Sequence, residues 1–254
     1  MKLHSNILGE GKPMLILHGF LGMSDNWKSL GKKYAEEGFE VHLIDQRNHG
    51  KSPHSDAFSY EHLSNDLLAY MNEKEINQCI LLGHSMGGKT AMHFTAKHPE
   101  YVEKLILADI TPRYYPPHHQ DILAGLNALD FSKIKSRKEA DLTLSEYVKE
   151  PGIRMFLLKN LKRISKDQYE LYINLKTLTE KIDEIGQGLF PEAHCTPPTL
   201  IVRGTAANYV LDSDIPLLNK HFANYIIRDI EKAGHWLHAE NPSLFLAHTL
   251  KFIK

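Results

Sequence analysis

The sequence predicts an α/β protein on a mostly parallel sheet, and three observations carry that expectation. Short apolar runs recur along the chain, "MLILH", "VHLID", "CILLG", "KLILAD", "TLIVR" and "YIIRD". Runs of this kind are buried on both faces of a parallel sheet. Amphipathic helical patterns separate them, and strands alternating with helices imply crossovers and a doubly wound sheet. The alternation then stops after "LILADITP" and resumes only near Pro197–Pro198.

Taken in order, residues 24–37 read as a helix with Ser24 or Asp25 as N-cap and Trp27, Leu30 and Tyr34 on one face. Residues 59–73 repeat the pattern with Leu63, Leu67, Leu68 and Met71. From Arg113 to Thr196 helical patterns replace strands, and "IRMFLLKNLKRI" spaces Ile153, Leu157, Leu161 and Ile164 along one stripe. The block is too long for one crossover. It is expected to close as a helical cap over the carboxyl ends of the strands, where open α/β sheets bind ligands. The division is therefore a core of 1–112 and 197–254 with a cap of 113–196.

At 254 residues the chain can bury a substantial core, and a net charge of −1 favours neither nucleic acid nor an anionic membrane as partner. The first residues lack the apolar stretch of a signal peptide, and no run approaches a membrane span. A cytoplasmic protein is expected. Cys79 and Cys195 have neither metal nor redox spacing. Cys79, inside an apolar strand, reads as a buried inert thiol, and a disulfide between the two is unneeded in a chain this long. None of the sixteen histidines falls in H-E-x-x-H, and "PPHHQ" reads as a solvated loop; no metal is expected.

The stretch "CILLGHSMGGKTA" carries chemistry. "GHSMG" fits G-x-S-x-G, in which a serine stands on a strained strand-to-helix turn. Here "QCILL" supplies the strand and "KTAMHFTAKH" the helix. Ser85 needs a base to take its proton. The best-placed histidine is His235 in "EKAGHWLHAENP", after the last strand; His238, one turn on, is its rival, though His238 and His84 read better as packing or solvated residues.

The motifs "HGFLG", "DQRNHGKS", "GHSMGGK" and "AGHW" fall in the order of the α/β-hydrolase family, which the core resembles from end to end. With "ADITP" added, the chain is most similar to the small YbfF-type acyl esterases. The resemblance implies an α/β-hydrolase fold and a Ser…acid…His order. Most of that family places the acid after the strand that here reads "TLIVRGTAANYV", where this chain has Ala207 and Asn208. Asp212 and Asp214 come later, with an N-cap role as the plainer reading, and Asp45 lies too far across the sheet. Asp109, closing "KLILAD", is the expected acid, and the YbfF-type resemblance implies the same placement. The backbone N–H of Met86 is one expected oxyanion donor; the amide of Phe20 is the other, by resemblance. His18 is expected to brace that loop, and Arg47 and His49 to pin it.

The expected reaction is acyl transfer to water without metal or organic cofactor, on a small acyl ester or thioester, in a monomer or homodimer. Tyr115, Phe156, Leu157, Tyr209 and Trp236 are the candidate substrate contacts, and such an apolar lid suits short or medium acyl chains. The same triad also serves acyl-CoA thioesters and carbon–carbon cleavage, and a non-catalytic binding protein is the reading from another class.

Overall fold

A computed structural model of the chain describes residues 1–166 and 168–254. Its main sheet has seven strands: β1 Ser5–Leu8, β2 Lys12–Leu17, β3 Phe39–Ile44, β4 Cys79–His84, β5 Val102–Ala108, β8 Thr199–Gly204 and β9 Tyr225–Ile230. They lie in the order β1-β3-β2-β4-β5-β8-β9. Only β1 runs antiparallel to its neighbour. "SNIL" escapes a sequence reading because it has too few apolar residues to resemble a central strand. β9 corrects another expectation: its residues alternate in exposure, as an edge strand's do, and are not buried on both faces.

Alternation along the central strands divides their side chains between two cores. Leu15 and Leu17 of β2, Leu81 of β4 and Leu105 and Leu107 of β5 join one layer. Met14, Ile16, Ile80, Leu82 and Ile106 join the other. This is the two-residue period of a strand buried on both sides. Helices α1 Lys28–Glu36, α2 Tyr60–Glu73 and α3 Met86–Lys97 follow β2, β3 and β4. Ser59 caps α2 by accepting the His62 N–H. Residues 24–37 are not one helix. A 3-10 turn, Ser24–Trp27, precedes α1, and the Ser24 N–H goes to Asp45 Oδ1 at 2.6 Å, so neither Ser24 nor Asp25 caps α1. Trp27, Leu30 and Tyr34 are buried, whereas Leu68 is only half-buried.

The segment between β5 and β8 holds helices α4 Gln120–Asn127, α5 Arg137–Tyr147, α6 Pro151–Leu157, α7 Leu175–Glu180 and α8 Ile182–Ile185. It is not purely helical. The expected stripe through Ile153, Leu157, Leu161 and Ile164 breaks after Leu157, and Leu161–Ser165 (β6) pairs antiparallel with Gln168–Leu171 (β7). A 3-10 turn, Leu158–Asn160, closes the helix, and the Asn160 amide donates to the carbonyls of Leu21 and Leu157. Ile164 is left half exposed. A third apolar cluster joins the segment to the sheet, packing Leu123, Leu144 and Leu157 with Phe20, Leu21 and Met86. Helices α9 Ile215–His221, α10 Leu237–Glu240 and α11 Pro242–Ile253 complete the chain.

Candidate active site

The site lies where β4, β5 and β8 end together: Gly83 pairs with Leu107, and Ala108 with Val202. Ser85 follows β4 with φ 53° and ψ −118°. A left-handed conformation of this kind in a non-glycine residue costs about 1–3 kcal/mol. The turn is affordable only with small neighbours. A Cβ on Gly83 would stand 2.3 Å from the Gly87 carbonyl oxygen, and one on Gly87 would stand 2.3 Å from that of Leu17. α3 begins at Met86, so its first N–H groups have no partner within the helix.

Asp109 follows β5, also with positive φ (50°), and is wholly buried. Its Oδ1 accepts the Gly204 N–H at 3.0 Å and its Oδ2 meets His235 Nδ1 at 2.8 Å. Burial pushes this carboxyl up to about 7, against the Gly204 amide, which favours the charged form. His235 stands in the loop after β9 and is sandwiched: Tyr209 stacks on its ring at 3.5 Å between centroids, and His84 lies 4.7 Å away on a tilted plane. The His84 Nε2–H donates to the His235 carbonyl at 2.9 Å, fixing the loop. Burial, with His118 nearby, holds the His235 ring low, about 3, and therefore neutral.

Ser85 and His235 line one cavity of about 300 Å³. Phe156, Leu157, Tyr209 and Trp236 of the expected contacts line it too, whereas Tyr115 does not. The Tyr115 hydroxyl takes the Thr111 N–H and donates to the Tyr209 carbonyl, and its ring lies beneath the Arg113 guanidinium at 4.0 Å. It borders only a small adjoining pocket and works as a buttress. His118 and His119 correct the opposite error. "PPHHQ" is no mere solvated loop, since both histidines line the cavity. His118 is tied to the Tyr209 hydroxyl, and His119 packs edge-on to Phe20. Nothing in the local pattern of two adjacent histidines announces that.

The other carboxylates are engaged elsewhere. Asp45 accepts the amides of Ser24 and Lys51. Asp212 pairs with Arg203. Asp214 accepts the Leu211 N–H and pairs with Arg113. The loop bearing Phe20 is held as well. His18 Nε2 accepts the Gln46 N–H, and His49 Nε2 accepts the Leu21 N–H at 3.2 Å. Arg47 does not touch that loop; it forks onto Asp66 of α2 at 2.6 and 2.9 Å. The Asp109 carboxylate bonds His235 instead of His238, and His238 is not solvated. It is buried, stacked on Trp27 at 4.1 Å, and lines the cavity floor.

A family model described as alpha/beta hydrolase fold matches residues 12–135. The sn-1-specific diacylglycerol lipase ABHD11 of Danio rerio is 35% identical over 97% of this chain and 80% of its own length. Esterase YbfF of Escherichia coli is 29% identical over 96% of this chain and 94% of its own. Among solved structures, a marine microorganism esterase superposes with a TM-score of 0.96 at 41% identity, covering 99% of both chains. The chain belongs to the α/β-hydrolase family.

Proposed function

We propose that this α/β hydrolase is a serine esterase that cleaves carboxylic esters of short to medium acyl chains through an acyl-enzyme on Ser85. The observation that carries the reading is the 2.8 Å contact of His235 Nδ1 with buried Asp109, beside a strained serine on the same cavity. With Nδ1–H given to Asp109, the free lone pair of neutral His235 is on Nε2, the atom that takes the Ser85 proton. Ser85 Oγ attacks the ester carbonyl. The amides of Phe20 and Met86 receive the oxyanion, each such donor contributing about 2.7–4 kcal/mol of barrier reduction. His235 then protonates the leaving alkoxide, activates a water against the acyl-enzyme, and returns its proton to Ser85 as the acid leaves. Asp109 holds the imidazole in this tautomer and stabilises its cation.

Residues 113–196 act as the cap in this reading. Ile122, Ile153, Phe156 and Leu157 give the cavity an apolar wall, and about 300 Å³ is at the small end for ligand sites. That volume favours modest acyl groups. The names of the relatives, esterase and lipase, support the same bond class.

A fluorophosphonate probe tests the proposal. Folded protein should label at Ser85, and labelling should vanish in Ser85→Ala. Nitrophenyl esters of increasing chain length should show kcat/KM peaking at short or medium acyl groups. Folded protein that neither labels nor turns over any of these esters would make the chain a binding module.

A further inference from the structure

We infer that the floor of the Ser85 cavity, formed by Asn26, Trp27, His84 and His238, is a hydroxyl-recognition subsite, and that the preferred esters carry a hydroxyl near the scissile bond. The inference rests on the esterase reading and deepens it. All four residues line the same cavity as Ser85. Each presents hydrogen-bonding capacity that no described residue uses. His238 is buried, its Nδ1 is closed off without a partner, and its Nε2 bonds to no described residue. Buried polar groups are normally paired, so a ring nitrogen left free beside the cavity points to a ligand or water there. Trp27 is 1% exposed, and its indole N–H donates to no described residue, which leaves the cavity as the place to find an acceptor. Asn26 gives Oδ1 to the Met23 N–H at 2.7 Å, leaving its amide protons free. His84 gives its Nε2–H to the His235 carbonyl, so its Nδ1 is a bare acceptor.

The chemistry of this floor is specific. Burial holds His84 and His238 well below the usual imidazole range, so both rings are neutral. The floor therefore carries no charge and offers both donors and acceptors. A carboxylate entering it would bring an uncompensated buried charge. A methyl group would leave polar atoms desolvated and unpaired. A hydroxyl donates and accepts at once. The stack of His238 on Trp27, 6° from parallel, fixes the two rings in advance. Ile122 and Phe156, which also line the cavity, are apolar, so its lining falls into two chemically distinct groups.

The test compares kcat/KM for isosteric pairs: 2-hydroxyethyl butyrate against propyl butyrate, and ethyl 3-hydroxybutyrate against ethyl 3-methylbutyrate. Each rate is divided by that of the same ester with hydroxide, to remove intrinsic reactivity. One pair should favour the hydroxylated ester by about tenfold or more, and which pair does so tells whether the floor faces the alcohol or the acyl side. His238→Phe should bring that ratio down to about twofold or less, and His238→Gln, which can hydrogen-bond, should restore part of it. The wild-type comparison needs no variant to fold. Ratios near or below one in both pairs, in protein that hydrolyses propyl butyrate, overturn the subsite while the esterase reading stands. An undiminished ratio in folded His238→Phe overturns the assignment to this floor, and failure to hydrolyse any of the four, with no Ser85 labelling, removes the esterase reading and this inference together.

Discussion

The strand ends that carry Ser85 and Asp109 are held very differently from residues 113–196, the proposed cap. At the strand ends both residues adopt positive φ, and their neighbours leave no room for a Cβ or an unpaired carboxylate oxygen. Strain of this kind persists only where the surroundings over-determine it. The cap is built from short helices and one exposed hairpin, and Leu142 and Met155 stand 58% and 62% exposed. Its tie to the sheet is an apolar cluster around Phe20 and Met86 and single bonds such as Tyr60 to the Ile185 carbonyl, 2.6 Å. The contrast separates two tasks. In the proposed reading the strand ends set the reacting atoms, and the cover sets what reaches them.

Substitutions should divide along that line. Ser85→Ala should lose roughly six orders of magnitude in kcat, and Asp109→Asn about four, with far-ultraviolet spectra unchanged. Asp212→Asn and Asp214→Asn, whose carboxylates serve Arg203, Arg113 and a turn, should stay within a few-fold of wild type. A collapse in either, with Asp109→Asn near wild type, would move the acid to the β8 loop. In the cap, Phe156→Ala should raise KM for hexanoyl esters about tenfold and change acetyl esters little, since it removes wall area and no reacting group. An equal loss on both would place Phe156 among the groups that orient the reaction.

A smaller effect concerns stability. Burial raises Asp109 to about 7, above roughly 3.9 for an unfolded aspartate. As pH rises, the unfolded chain releases this proton first. Asp109 therefore contributes a loss of stability between about pH 4 and pH 7, set against the gain that the buried histidines, held below their ordinary value, contribute over much of the same range. Asp109→Asn removes that loss, so the inactive variant should melt several degrees higher than wild type at pH 8 and equally near pH 4, by calorimetry. A wild type that melts higher at pH 8 would mean that the His235 contact outweighs burial.

The same division decides how much could be read from the chain. The central strands announce themselves because burial on both faces demands unbroken apolar runs, and the serine turn because convergence of backbone demands glycine at 83 and 87. The lack of a carboxylate at Ala207 and Asn208, which turns the expectation to Asp109, is legible as well. β1 and β9, at the sheet edges, are half-wet and carry weaker patterns. In the cap, periodicity misleads. Leu161 and Ile164 sit at helical spacing, yet Asn160 turns the chain and the hairpin takes over. Roles such as the His118–Tyr209 link, the stack on His235 and the buttress at Tyr115 depend on contacts between distant segments, which no local pattern carries.

Acid-quenching the enzyme during turnover of nitrophenyl butyrate and mapping the covalent butyryl group by peptide mass spectrometry tests the central claim most directly. The account predicts one butyryl group on the peptide at Ser85, with acylation abolished in His235→Gln. Steady turnover with the acyl group on another residue, or undiminished acylation in His235→Gln, would contradict it.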